Sequence, residues 1–106
     1  MSLPTGSWNL DGNGFPGTLS VDTVDNNGNV TGSAYGNTVF GFWNDAAQKL
    51  TFMRVIDPSN ASSMQVFTGY LFTSNGTPTL AGTFQAFSGT GGTPLQPIFG
   101  WYARHA

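Results

Sequence analysis

Apolar residues along this chain recur at every second position in short bursts, and nowhere do they hold the three-to-four-residue interval of an amphipathic helix. In 17–24, Leu19 and Val21 fall on one face and Thr18, Ser20 and Asp22 on the other. In 49–57, Leu50, Phe52 and Ile56 share a face with Arg54, while Thr51, Met53 and Val55 lie opposite. A period of two marks strands. The bursts are rich in Val, Phe, Thr and Tyr, and 15 Gly and 6 Pro punctuate the chain. Strands are predicted near 6–10, 17–24, 30–35, 38–44, 49–57, 63–73, 78–87 and 97–104.

The connections carry explicit turn chemistry. Asp25-Asn26-Asn27-Gly28-Asn29 contains Asn-Gly, a hairpin signal because both residues tolerate positive φ. Gly36-Asn37 is predicted to make the next turn and Ser74-Asn75-Gly76 a later one. Asn44 to Gln48, Asp57 to Ser62 and Ser88 to Pro97 supply longer links. Each link is short enough to join neighbouring antiparallel strands, so the simplest topology is an up-and-down meander. The expected fold is all-β: a single domain of eight antiparallel strands closed into a small barrel.

Two segments are apolar on both faces: Val39-Phe40-Gly41-Phe42-Trp43 and Ile98-Phe99-Gly100-Trp101-Tyr102. One face fills a barrel; the second needs another cover, for which a subunit interface is the natural candidate. Phe40, Trp43, Phe99 and Trp101 are therefore expected at an interface or surface. Composition reinforces this. Charged residues make up 8% of the chain, against about 25% in an average domain. Weak like-charge repulsion favours self-association, so a homo-oligomer, dimer or tetramer, is expected. A net charge of −2 with no basic cluster argues against nucleic acid and anionic membranes as partners. Without Cys, disulfides and thiolate chemistry are excluded. The apolar runs are too short for a spanning helix, and the first six residues do not read as a signal peptide. The expectation is a soluble protein, either cytoplasmic or secreted with its leader removed.

In order along the chain, several motifs resemble those of the avidin/streptavidin family. Gly6-Ser7-Trp8 is similar to the family's opening Gly-x-Trp strand, and Asn27 to Ser33 to its Gly-x-Leu-Thr-Gly-Thr hairpin. Phe67-Thr68-Gly69-Tyr70 resembles its sixth strand, and Leu80-Ala81-Gly82-Thr83-Phe84 through Ser88-Gly89 its seventh. The resemblance implies a streptavidin-like barrel with a ligand cavity. It does not carry over a biotin site. The family's Asn two residues after the first Trp falls on Leu10, and Asn9 would face the other way. Its Tyr and Ser of strand three fall on Ala34 and Gly36, two of its Trp positions on Phe67 and Phe84, and its buried acid on Tyr102. A urea head group buried without partners loses about 1–3 kcal/mol for each unpaired polar atom, so tight biotin binding is not expected.

On this register the interior holds Trp8, Leu10, Leu19, Val21, Leu50, Phe52, Arg54, Ile56, Ser63, Gln65, Phe67, Leu71, Phe84, Ala86, Ile98 and Tyr102. Arg54 stands out. It is either an anchor for a ligand's carboxylate, phosphate or carbonyl, or an edge residue reaching water or pairing with Asp57. Ser63, Gln65 and Tyr102 either orient a ligand or satisfy the sheet's own hydrogen bonds. The expected function is non-enzymatic binding of an unidentified small molecule, with Arg54, Ser63, Gln65, Phe67, Phe84 and Tyr102 as candidate contacts. A lectin-like or interaction module acting through Trp43-Asn44-Asp45 and other surface aromatics is the alternative. No cofactor or metal motif is visible. Catalysis lacks a nucleophile–base pair or paired carboxylates, and the sole His, His105, adjoins the C-terminus.

Overall fold

A computed structural model describes residues 1–56, 63–88 and 98–106. Its strands are β1 (Gly6–Gly12), β2 (Phe15–Val24), β3 (Asn29–Ala34), β4 (Asn37–Asn44), β5 (Lys49–Val55), β6 (Ser63–Ser74), β7 (Thr77–Ser88) and β8 (Phe99–His105). Each pairs antiparallel with its neighbour in sequence, and β8 pairs with β1 to close an eight-stranded barrel. Among the described residues no helix is long and apolar enough to cross a membrane.

Tight turns set the register. Asn13-Gly14, Tyr35-Gly36 and Asn75-Gly76 each place two successive residues at positive φ, the geometry that matches the twist of flanking strands. The turn after β3 is thus Tyr35-Gly36, one residue earlier than Gly36-Asn37. At the β2–β3 turn, the Asp25 carboxylate accepts hydrogen bonds from the Asn27 and Asn29 backbone and the Asn29 side chain. Those bonds hold its pKa below the ordinary value. In β2 the register shifts between Val21 and Thr23, where the extra residue Asp22 turns Val24 towards the core.

The interior is filled as the alternation requires: Trp8, Leu19, Val21, Leu50, Phe52, Phe67 and Leu80 are essentially sealed from solvent. The N-terminal segment closes one end of the barrel. Leu3 is buried there, the Pro4 carbonyl accepts from Trp8 Nε1 at 3.2 Å, and the Met1 carbonyl accepts from Gln48 Nε2 at 2.9 Å.

Five aromatic or apolar positions depart from expectation in the two segments that are apolar on both faces. Trp101 is core, 3% exposed, whereas Tyr102 and Ile98 face outwards at 50% and 62%. Phe99 is half-buried on the inner side. Trp43 is also buried, leaving Phe40 and Phe42 outside. Alternation does not choose between two apolar faces; size complementarity across the barrel does. Trp101 lies opposite Gly12 and Gly82, its ring occupies the space above Gly69, and its Nε1 donates to the carbonyls of Thr68 and Thr83 at 3.1 Å. Tyr102 has no such recess. Ile56 follows the end of β5 and is 36% exposed, so it too leaves the predicted interior.

Candidate ligand pocket

Strand register stacks the inward side chains of β5 to β8 in layers. One layer is a row of four phenylalanines, Phe52, Phe67, Phe84 and Phe99, each paired with the next across adjacent strands. Phe67 stacks between Phe52 (centroids 4.6 Å, planes 7° apart) and Phe84 (4.7 Å, 15°), and Phe99 tilts against Phe84 at 5.6 Å. Trp101 presents its edge to Phe52 and Phe67 from below. Two residues further along the strands, the next row is Val39, Arg54, Gln65 and Ala86. A polar row therefore sits one layer above an aromatic row, nearer the end where β1 meets β2 and β3 meets β4.

A cavity of about 370 Å³ opens at this end, lined by Gly12, Asn13, Phe15, Tyr35, Arg54, Gln65, Phe67, Phe84, Ala86 and Phe99. Its polar wall is built around Arg54. Arg54 Nε donates to the Ala34 carbonyl (3.1 Å), Nη1 to Gln65 Oε1 (2.9 Å) and Nη2 to Asn37 Oδ1 (2.6 Å). Its guanidinium lies 4.9 Å from the centroid of the Tyr35 ring. These partners are uncharged. Burial pulls the Arg54 pKa below its ordinary value, yet guanidinium starts so high that it remains a cation at neutral pH.

Tyr35 is the positioning element of this wall. Its hydroxyl donates to the Phe15 carbonyl at 2.6 Å and accepts from the Gly12 amide at 2.9 Å. It thereby ties the β3–β4 turn to the β1–β2 hairpin. The ring needs room that two strand glycines provide: a Cβ on Gly17 would run into the ring, and one on Gly12 would crowd the hydroxyl. Burial, the largest influence, pushes the phenol above the usual tyrosine range, so at neutral pH it keeps its proton.

Of the residues singled out from sequence, the pocket brings together Arg54, Gln65, Phe67 and Phe84. Phe99 joins them, although it was assigned to an outer surface, and Trp101 lies beneath. Tyr102 does not take part: it is on the outer face of β8. The Ser63 side chain, Asp57 and the links 57–62 and 89–97 lie outside the described residues. Trp43 sits at the opposite end, its Nε1 bonded to Asp45 Oδ1 at 3.1 Å, beside a second concavity of about 470 Å³ bordered by Leu3, Asp25 and Asn27. Sequence reasoning missed Tyr35 and Asn37. The available signal was a pair of glycines, Gly12 and Gly17, at inward positions where a barrel wall otherwise carries apolar side chains.

No family model and no curated protein matches the chain. Solved structures do. A low-affinity mutant of shwanavidin superposes with a TM-score of 0.73 at 16% identity, covering 100% of this chain and 98% of the other. The rhizavidin–biotin complex gives 0.69 at 17%, covering 100% and 97%. Apo shwanavidin gives 0.72 at 15%, covering 99% and 98%. At these identities the likeness is one of fold: the chain is an avidin-like barrel.

Proposed function

We propose that this barrel is a non-enzymatic small-molecule binder that takes its ligand in the pocket at the Arg54 end, and that it does not hold biotin tightly. The observation that carries the reading is the cavity itself. It has a largely aromatic floor with a few convergent polar groups on one wall, the common form of a small-molecule site. The wall is also preorganised: Gln65 and Asn37 each already accept a hydrogen bond from Arg54, so little side-chain freedom is left to lose on binding.

One of the structural neighbours is a biotin complex, which makes biotin the ligand to weigh first. The chain offers a urea few fixed partners. Leu10 is sealed in the core, and the inward residues of β8 are Phe99, Trp101 and Ala103, none of them acidic. The cation at the wall, Arg54, can donate to the ureido carbonyl but offers no acceptor to its two N–H groups.

Self-association accompanies this reading. Phe40 and Phe42 on β4, Tyr70 and Phe72 on β6 and Tyr102 on β8 project from the outer surface, each about half exposed. A dimer or tetramer covers them. The lectin-like alternative loses its main support because Trp43 is buried and its N–H is engaged by Asp45.

A thermal-shift screen against biotin, fatty acids, sugars and common metabolites tests the proposal. A native-state ligand raises the melting temperature progressively with its concentration. The reading expects such a ligand to exist and biotin to bind no tighter than micromolar. A sub-micromolar biotin response overturns the second half of it.

A further inference from the structure

We propose that the pocket selects a planar aromatic monocarboxylate, its carboxylate on Arg54 and Gln65 and its ring against Phe67, Phe84 and Phe99. The inference rests on the small-molecule reading above and adds the ligand's chemical class.

Charge comes first. Arg54 carries five N–H donors, and three have partners among the described residues, all neutral oxygens. Among the described residues the other two have no partner. The face of the guanidinium is covered by Tyr35, another neutral group. A half-buried cation with no described carboxylate beside it bears a desolvation cost that an incoming anion offsets. A ligand carboxylate brings negative charge to a wall whose described partners are all neutral.

The number of charges comes next. Among the described residues Arg54 is the one cation lining the cavity. Lys49 lies over the Tyr70 ring on the outer surface, and Arg104 reaches the Ser74 carbonyl on the far side of the barrel. One planar fork matches one carboxylate, whereas a phosphate monoester dianion leaves a charge uncompensated.

The body of the ligand follows from the two stacked layers. Gln65 and Phe67 are successive inward residues of β6, and the same offset separates Arg54 from Phe52 and Ala86 from Phe84. That offset is roughly 7 Å along the strand, a span that an aromatic acid bridges from head group to ring. Phe67 and Phe84 lie nearly parallel with the faces of Phe67 covered by Phe52 and Phe84, so a flat ring in the cavity meets the row at its edges, in edge-to-face geometry. Ala86, small and beside Gln65, keeps the space between the layers open.

Calorimetric titration of the full chain with four probes tests this: 2-naphthoate, its neutral amide 2-naphthamide, 2-naphthyl phosphate and octanoate. The expected result is one naphthoate per chain, bound about tenfold or more tighter than each of the others, as a charge-assisted bond to Arg54 implies. Arg54→Gln should bring naphthoate down to the level of naphthamide. Ala86→Trp should remove binding of all four by filling the cavity while Arg54 stays in place. The ranking of probes on the unaltered chain decides the matter even where a variant folds poorly. Equal binding of naphthoate and naphthamide overturns the assignment and leaves the small-molecule pocket standing. So does a preference for the phosphate or for octanoate. Failure of all four probes to bind the folded chain overturns the assignment and removes its support from the pocket as well.

Discussion

The Arg54 guanidinium rests on the face of Tyr35, 4.9 Å from the ring centroid, while the Tyr35 hydroxyl is fixed between the Gly12 amide and the Phe15 carbonyl. The one aromatic side chain thus performs two tasks through two parts of its structure. Its π face supports a cation that has no described counter-charge, and its hydroxyl laces two hairpins together. The tasks separate on substitution. Tyr35→Phe removes two hydrogen bonds and leaves the ring, so urea unfolding should show a loss of roughly 1–3 kcal/mol. Affinity for an Arg54-directed carboxylate should stay within about threefold, since the cation keeps its support. Tyr35→Ala should lose both.

The same hydroxyl gives the barrel an alkaline limb. The folded-state pKa of Tyr35 is raised above its unfolded value near 10.0 by burial. The folded chain therefore holds this proton to higher pH than the unfolded chain does. The contribution is complete below the unfolded pKa and is lost as pH rises through the folded one. Melting temperatures followed from about pH 8 to about pH 11.5 should fall more steeply for the native chain than for Tyr35→Phe. Parallel curves would remove Tyr35 as the source.

Gly17 and Tyr35 are coupled by volume. A methyl at position 17 meets the tyrosine ring, so Gly17→Ala should destabilise by roughly 1–3 kcal/mol through overpacking. In Gly17→Ala combined with Tyr35→Ala that clash disappears, and the two effects should sum to less than their separate values. Chemical denaturation of the four variants closes the cycle.

Phenylalanines on the inner and outer faces of the barrel have opposite roles. Phe67, wholly buried between two rings, should cost about 3–5 kcal/mol on change to Ala. Phe42, 54% exposed on the outer face, should change the stability of an isolated subunit by no more than about 0.5 kcal/mol on substitution by Ser. Its effect should appear instead in light scattering, as a shift towards smaller species. An unchanged mass would exclude Phe42 from the proposed subunit interface.

Much of this architecture was legible in the chain. The strand order, the Asn75-Gly76 turn and the burial of Trp8, Leu10, Leu19, Val21, Leu50, Phe52 and Phe67 follow from a period of two with polar residues opposite apolar ones. The inward placement of Arg54 followed too, because Leu50 and Phe52 fix the parity of β5. The reading failed where parity carried no information. In 39–43 and 98–102 both faces are apolar, and for 98–102 the glycines that make room for Trp101, Gly12, Gly69 and Gly82, lie on other strands. Tyr102 was therefore placed inside and Trp101 outside, the reverse of the structure. Tyr35 was invisible for a different reason: it sits at positive φ, where a tyrosine is uncommon, and its partners Gly12 and Phe15 are 23 and 20 residues away in sequence.

The most direct test of the central claim, that the Arg54 end of the barrel is a ligand site, is a ¹H–¹⁵N correlation spectrum recorded during titration with 2-naphthoate. Saturable shifts should concentrate on Gly12, Tyr35, Gln65, Ala86 and Phe99, with the Arg54 Nε resonance moving among the furthest. Saturable shifts confined to the opposite end, around Trp43 and Asp45, or an unperturbed spectrum at saturating probe, would contradict it.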